Sequence, residues 1–131
     1  MGILFLDLKA QYHRLQPSID AAIQRVLEGG HFILGTEVSA FESEFAAFCG
    51  TREVVAVANG TEAIQLALLA CGIEPLDEVI TTAFTAVATV AAIESTGARP
   101  VLVDINPDTY NMDADCVSRA VTSRTRAIVP V

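Results

Sequence analysis

Val54-Val55-Ala56-Val57-Ala58-Asn59-Gly60-Thr61-Glu62-Ala63-Ile64 holds the turn on which the reading of the fold depends. Val54 to Val57 is a short apolar run, three of its residues β-branched, and reads as a buried strand. Asn59-Gly60-Thr61 breaks it, and Asn59 and Gly60 tolerate positive φ, so the turn can be sharp. Ala63 to Cys71 then reads as a helix that is apolar on nearly every side. A buried strand leading straight into a buried helix is the local pattern of an α/β protein.

The pattern repeats downstream. Glu78 to Thr81 reads as a second strand, Thr85 to Ser95 as an Ala-rich helix closed by Gly97, and Pro100 to Val103 as a third strand ending at Asp104. Asp113 caps a short helix carrying Cys116, Val117, Ala120 and Val121, and Arg126 to Val129 forms a fourth strand. Upstream, Pro17 fits the first turn of a helix. Ile19, Ile23, Val26 and Leu27 share one face of it, and Gly29-Gly30 stops it. Thr36 can cap the next helix, whose stripe of Val38, Phe41, Phe45 and Phe48 reads as core, with Gly50 at its end. The predicted fold class is α/β, a three-layer α/β/α sandwich with a mostly parallel sheet and right-handed crossovers. The predicted organisation is a single domain, with residues 1–50 an N-terminal helical segment and 51–131 the alternating core. The last strand has no helix after it to cover the sheet, so this reads as an incomplete large domain.

Composition bounds the function. The chain has 131 residues, 52% hydrophobic and 18% charged, with mean hydropathy +0.47, which excludes disorder. The longest run free of charge and histidine, Val79 to Ile93, is fifteen residues with four threonines. A membrane span needs roughly 20 apolar residues, so none is read. Met1 to Asp7 lacks a signal peptide's basic start and apolar run, which makes the cytoplasm the expected location. Eight Lys and Arg against 16 Asp and Glu give a net charge of −8, which repels nucleic-acid backbones. Cys49, Cys71 and Cys116 show no metal spacing and read as buried free thiols. His13 and His31 have no acidic partner at ligand spacing, so no metal site is predicted. Asp113/Asp115 and Glu42/Glu44 read as helix-start charges and solvated faces.

Two readings of the Asn59-Gly60-Thr61 turn stay open. One is an ordinary βα turn with Thr61 as the helix cap. The other is a cup for one phosphate, built from the free N–H groups of the helix's first turn, its positive dipole end and the Thr61 hydroxyl. The segment is neither a GxGxxG nor a P-loop, so a nucleotide fold has little support.

Several segments in order carry a resemblance: Phe5-Leu6-Asp7-Leu8-Lys9-Ala10-Gln11-Tyr12, Gly35-Thr36-Glu37-Val38 with Phe41-Glu42, Asn59-Gly60-Thr61-Glu62-Ala63, Asp77-Glu78-Val79-Ile80, Phe84-Thr85-Ala86-Val87-Ala88-Thr89, Gly97-Ala98-Arg99-Pro100-Val101 with Asp104-Ile105, and Thr125-Arg126-Ala127-Ile128-Val129-Pro130-Val131. Together they resemble the DegT/StrS family of sugar aminotransferases, of pyridoxal phosphate fold type I. The resemblance implies that Gly60, Thr61 and Glu62 hold the cofactor's phosphate, through the Thr61 hydroxyl and the Glu62 N–H. It implies an aromatic at position 86 stacked on the cofactor ring. Ala86 stands there instead, and Phe84 either supplies a ring or packs in the core. Leu76 replaces a glycine usual before Asp77 and alters a turn.

The resemblance also implies a keto-sugar nucleotide substrate, an amino-acid donor and a homo-oligomer with its site at the subunit interface. Some relatives of this kind are dehydratases. The family's cofactor-bonding lysine, and the Asp that pairs with the cofactor's ring nitrogen, fall beyond Val131. The one lysine here, Lys9, stands before the first predicted helix and reads as a surface residue. No catalytic residue is therefore assigned, and the chain alone is expected to be an inactive N-terminal fragment. The other readings are a non-catalytic assembly module and a simple phosphate-binding domain.

Overall fold

The computed structural model of the protein describes residues 5–131, so part of the reading of the N-terminal segment, Met1 to Leu4, lies outside the described residues. The described residues form two compact units, one running to Ala56 and the other Val57–Val131.

The first unit holds two helices. α1 spans Leu8–Gly29, with Asp7 as its cap accepting a hydrogen bond from the Ala10 N–H at 2.9 Å. Pro17 lies inside α1 and not in its first turn, because the Asp7 cap starts the helix well upstream and the proline's missing N–H costs only one bond. Lys9 accordingly sits in the first turn of α1, exposed, rather than before the helix. α2 spans Thr36–Cys49; Gly35, not Thr36, occupies the cap position, and Gly50 ends the helix in a left-handed conformation. The aromatic stripe is not core. Phe41, Phe45 and Phe48 are all exposed, Phe48 by 85%, and only Ala46 of α2 is buried. Helical spacing puts the rings on one face, but burial needs an opposing surface, and among the described residues nothing covers these rings.

Val54 to Val57 forms no strand and pairs with none among the described residues. Val55 is 79% exposed, and the Ala56 N–H donates at 2.8 Å to a carboxylate oxygen of Glu42, a side chain expected to be merely solvated. The predicted first strand is thus corrected: the run has strand propensity but no neighbouring ladder.

The second unit is a parallel α/β arrangement. In chain order it comprises α3 (Gly60–Ala70), β1 (Glu78–Thr82), α4 (Val87–Ser95), β2 (Arg99–Val103), α5 (Ala114–Ala120) and β3 (Thr125–Ile128). The sheet order is β2-β1-β3, both pairs parallel, with Ile80 opposite Val101 on one side and Ile128 on the other. Every residue of β1 is buried, its polar Glu78, Thr81 and Thr82 included, as befits the central strand of a parallel sheet. Leu68, Ile73, Val79, Ile93 and Ala98 form the core, with Ile64, Ala127 and Val129 packed against it. Each large side chain buried there contributes about 1.5–3 kcal/mol. The cysteines are unpaired, but Cys49 and Cys71 are exposed and Cys116 half-buried. Their helix faces are apolar yet uncovered, so the expectation of burial fails with that of the phenylalanine stripe.

Two local devices place β1. Leu76 has φ +74°, the left-handed region that favours glycine, and its N–H donates to the Gly97 carbonyl at 3.0 Å. Gly97 is needed opposite, since a Cβ there would stand 3.2 Å from the Pro75 side chain. At the start of β1 the buried carboxylate of Glu78 accepts from the Thr122 hydroxyl at 2.6 Å and from Arg124 Nε at 3.0 Å, tying β1 to the turn before β3. The Thr122 hydrogen bond first, and then the Arg124 guanidinium, hold the Glu78 carboxyl below its ordinary pKa despite some desolvation.

Candidate functional site

Helix α3 begins where the predicted turn lies, with a different cap. Asn59 is extended, and its Oδ1 accepts the Glu62 N–H at 3.0 Å while its carbonyl accepts the Ala63 N–H at 3.0 Å. Asn59, not Thr61, is therefore the cap, and neither Asn59 nor Gly60 adopts positive φ. The Glu62 N–H, expected to face a phosphate, is already satisfied. Among the described residues the N–H groups of Gly60 and Thr61 and the Thr61 hydroxyl have no partner. They stand at the positive end of the helix dipole, Gly60 open to solvent and Thr61 half-buried.

Short connections join α3 to the start of β1 and the end of β1 to α4, and the two helices pack together. The start of α3, the start of α4 and the ends of β1 and β2 therefore share one edge of the sheet. In open parallel sheets this is the edge that binds ligands. The loop after β1 is tethered there. Thr82 Oγ1 accepts the Phe84 N–H at 3.2 Å, and the Thr85 and Thr89 hydroxyls lie 2.8 Å apart. Ala86 occupies the cap position of α4 and is exposed. Phe84 is 60% exposed and so is not packed in the core. It lines a shallow hollow of about 220 Å³ with Ala83 and Thr85.

One neighbour at this edge escaped the sequence reading. Tyr110, in the loop after β2, stands with its ring centroid 5.8 Å from that of Phe84 and the planes tilted by 35°. Its φ is +60°, uncommon for an aromatic residue. The signal was present as Asn106-Pro107-Asp108-Thr109-Tyr110, a turn-rich stretch just past a strand end, but nothing local joined it to Phe84, twenty-six positions upstream.

The remaining candidates do not converge here. His13, His31 and Lys9 all lie in the first unit. Among the described residues no three His, Cys, Asp or Glu side chains gather as a metal site. Asp113 caps α5, its Oδ1 accepting the Cys116 N–H at 2.8 Å, and that backbone hydrogen bond holds its carboxyl below its ordinary pKa.

Known proteins share this arrangement. The family model described as the DegT/DnrJ/EryC1/StrS aminotransferase family matches residues 13–131. UDP-2-acetamido-2-deoxy-3-oxo-D-glucuronate aminotransferase of Pseudomonas aeruginosa is 50% identical over 129 residues, 98% of this chain and 36% of the relative. The crystal structure of Streptomyces venezuelae DesV in complex with a ketimine intermediate superposes with a TM-score of 0.95 at 48% identity, covering 98% of this chain and 34% of that one. NtdA of Bacillus subtilis, solved with bound cofactor PMP, gives a TM-score of 0.93 at 35% identity, over 98% of this chain and 30% of that one. The chain thus spans about a third of the length of the curated relatives it matches, 36% and 34% for the first two.

Proposed function

We propose a function from one premise: this chain belongs to the DegT/DnrJ/EryC1/StrS aminotransferase family. It supplies the phosphate-holding edge of a pyridoxal phosphate-dependent enzyme that moves an amino group from an amino acid to a keto-sugar nucleotide. The observation that carries the reading is the first turn of α3, where two unpartnered N–H groups and the Thr61 hydroxyl stand at a parallel sheet's ligand-binding edge.

Three unpartnered donors at the positive end of a helix dipole suit a phosphate dianion. When bound, the cofactor supplies an electron sink for amino transfer. Gly60 and Thr61 donate to its phosphate. Asn59 holds the turn open by taking the Glu62 N–H, so Glu62 contributes as the capped residue and not as a first donor. Phe84 offers an exposed ring at the same edge, and Ala86 stands exposed at the cap of α4. The relative's printed substrate, a UDP-linked oxo sugar acid, supports the keto-sugar nucleotide class. The uncovered apolar faces of α2 and α3 support self-association. A cytoplasmic setting suits an enzyme of this substrate class. One observation favours a second reading, a phosphate-binding unit without chemistry: the single lysine, Lys9, is exposed on α1.

Pyridoxal phosphate titration of the intact chain, with inorganic phosphate as competitor, tests the proposal. Phosphate should compete, and Thr61→Val should weaken cofactor binding about ten-fold or more, the usual worth of a hydrogen bond to a charged group. Equal binding by both proteins, or no competition, would remove the turn from the site. Borohydride reduction and intact-mass measurement should leave Lys9 unmodified; a reduced adduct there would return chemistry to the chain itself.

A further inference from the structure

Asn59, Asn106 and Asn111 are the chain's asparagines, and their neighbours make them chemically unlike. Asparagine is a labile residue, because the backbone nitrogen that follows it can attack its side-chain carbonyl carbon. That attack needs a nitrogen with a free proton and open space around it. Asn106 is followed by Pro107, which has no N–H. Asn111 is followed by Met112, whose N–H donates to the Val131 carbonyl at 3.1 Å. Asn59 is followed by Gly60, whose N–H has no partner among the described residues and where an added Cβ would meet nothing within 4 Å. Both Asn59 and Gly60 are exposed. The Asn59 amide is also activated. Its Oδ1 accepts the Glu62 N–H at 3.0 Å, so a donor at the positive end of the α3 dipole sits on the oxygen that gains negative charge during attack.

We infer that Asn59 is a self-modification site, which converts through a cyclic imide to aspartate or isoaspartate and so weakens the phosphate cup. The Gly60 nitrogen gives its proton to hydroxide and bonds to Asn59 Cγ. The Cγ–Nδ2 bond breaks, and Nδ2 takes a proton and leaves as ammonia. Water then opens the imide, at Cγ to give aspartate or at the main-chain carbonyl to give isoaspartate. The sum is amide plus water to acid plus ammonia, with nothing oxidised or reduced. At rest Asn59 is extended, with φ −163° and ψ 171°, and ring closure requires the backbone to turn out of that conformation. The first turn of α3 must open for each event, so a ligand that closes the turn slows the reaction. Aspartate still caps the helix, whereas isoaspartate lengthens the main chain by one carbon and displaces the cap. Both set a carboxylate beside the donors meant for phosphate. That consequence rests on the proposed function; the conversion itself does not.

The chain carries its own controls. The intact protein is aged in mildly alkaline, phosphate-free buffer, in matched portions with pyridoxal phosphate, with pyridoxal and with neither, and is then mapped by peptide mass spectrometry. Asn59 should convert first, with Asn106 and Asn111 intact when half of it is gone. Pyridoxal phosphate should slow the conversion and pyridoxal should not. Gly60→Ala keeps the N–H and a helical backbone but crowds the nitrogen, so it should slow conversion several-fold. Asn59→Ser keeps a capping oxygen and removes the amide, so that peptide should gain no acid.

Asn59→Asp fixes the aspartate product in place. It should keep the helical circular dichroism of the native chain and weaken pyridoxal phosphate binding roughly ten-fold or more, since like charges a few ångströms apart repel. If Asn111 converts as fast as Asn59, or Gly60→Ala converts at the native rate, the modification site is wrong. If Asn59→Asp binds the cofactor as tightly as the native chain, its effect on the cup is wrong. If Asn59 converts as expected but pyridoxal phosphate binds neither form, the modification site stands and the phosphate turn falls.

Discussion

Val54-Val55-Ala56-Val57 and Glu78-Val79-Ile80-Thr81-Thr82 are similar as sequences and opposite as structures. Both are short and rich in β-branched residues, and both read as buried strands. The second is the centre of a parallel sheet, with Val79, Ile80 and Thr81 fully buried. The first pairs with no strand among the described residues, and its Val55 is 79% exposed. Propensity describes how well a residue suits a pleated, half-buried surface. The surface itself comes from neighbours, and among the described residues only β1 has strands on both sides.

The largest test of that contrast is a matched pair of truncations. Ile80→Ala should cost the second unit about 2–5 kcal/mol in chemical denaturation, as large-to-small changes in a packed core do. Val55→Ala should stay within about 0.5 kcal/mol, as at other exposed sites. Comparable losses would mean that the Val54–Val57 segment is packed after all.

A smaller effect separates the ends of β1. Glu78 joins β1 to the turn before β3 through Thr122 and Arg124, and its carboxyl is held below its ordinary pKa. A depressed carboxylate adds stability above its unfolded-state pKa and loses it as pH falls through the lowered value. Thermal melting against pH should therefore show an acid limb, accompanied by early loss of hydrogen-exchange protection in β3. Glu78→Gln should flatten that limb and lower stability at neutral pH. An unchanged limb would assign the acid sensitivity to another group.

The smallest effect is a gain. Leu76 feeds β1 from a left-handed conformation that costs a side chain about 1–2 kcal/mol, against about 0.5–1 kcal/mol for the added freedom of glycine. Leu76→Gly should raise stability by up to about 1.5 kcal/mol in the same denaturation series. A loss would mean that the exposed leucine makes a contact worth more than the strain.

Much of the second unit was legible because its signals are local. Asp113 caps α5, Gly97 closes the Ala-rich helix region, and β1, β2 and β3 fall within a residue or two of their predicted bounds. Leu76 was legible, through the resemblance, as an altered turn before Asp77; its left-handed conformation came from the structure. The phosphate turn was legible as a helix start, but its cap was not. Asn59 and Thr61 can both cap, and only the extended conformation of Asn59 decides which oxygen reaches the Glu62 N–H. The phenylalanine stripe of α2 and the thiols of Cys49 and Cys71 were misplaced for the same reason as Val54–Val57. Apolar periodicity names a face but does not supply what covers it.

By itself, the sequence determined the family, the α/β class and the positions of most turns. Caps, glycines and strand propensities act over a few residues, and many such motifs in one order are specific. Only the tertiary structure decided which apolar run became a strand, which donors of the first turn of α3 stay free, and that Tyr110 meets Phe84. Those outcomes depend on groups far apart in the chain. Hydrogen-bond ladders, burial and ring contacts are pairwise, and a partner's position is set by how the whole unit packs.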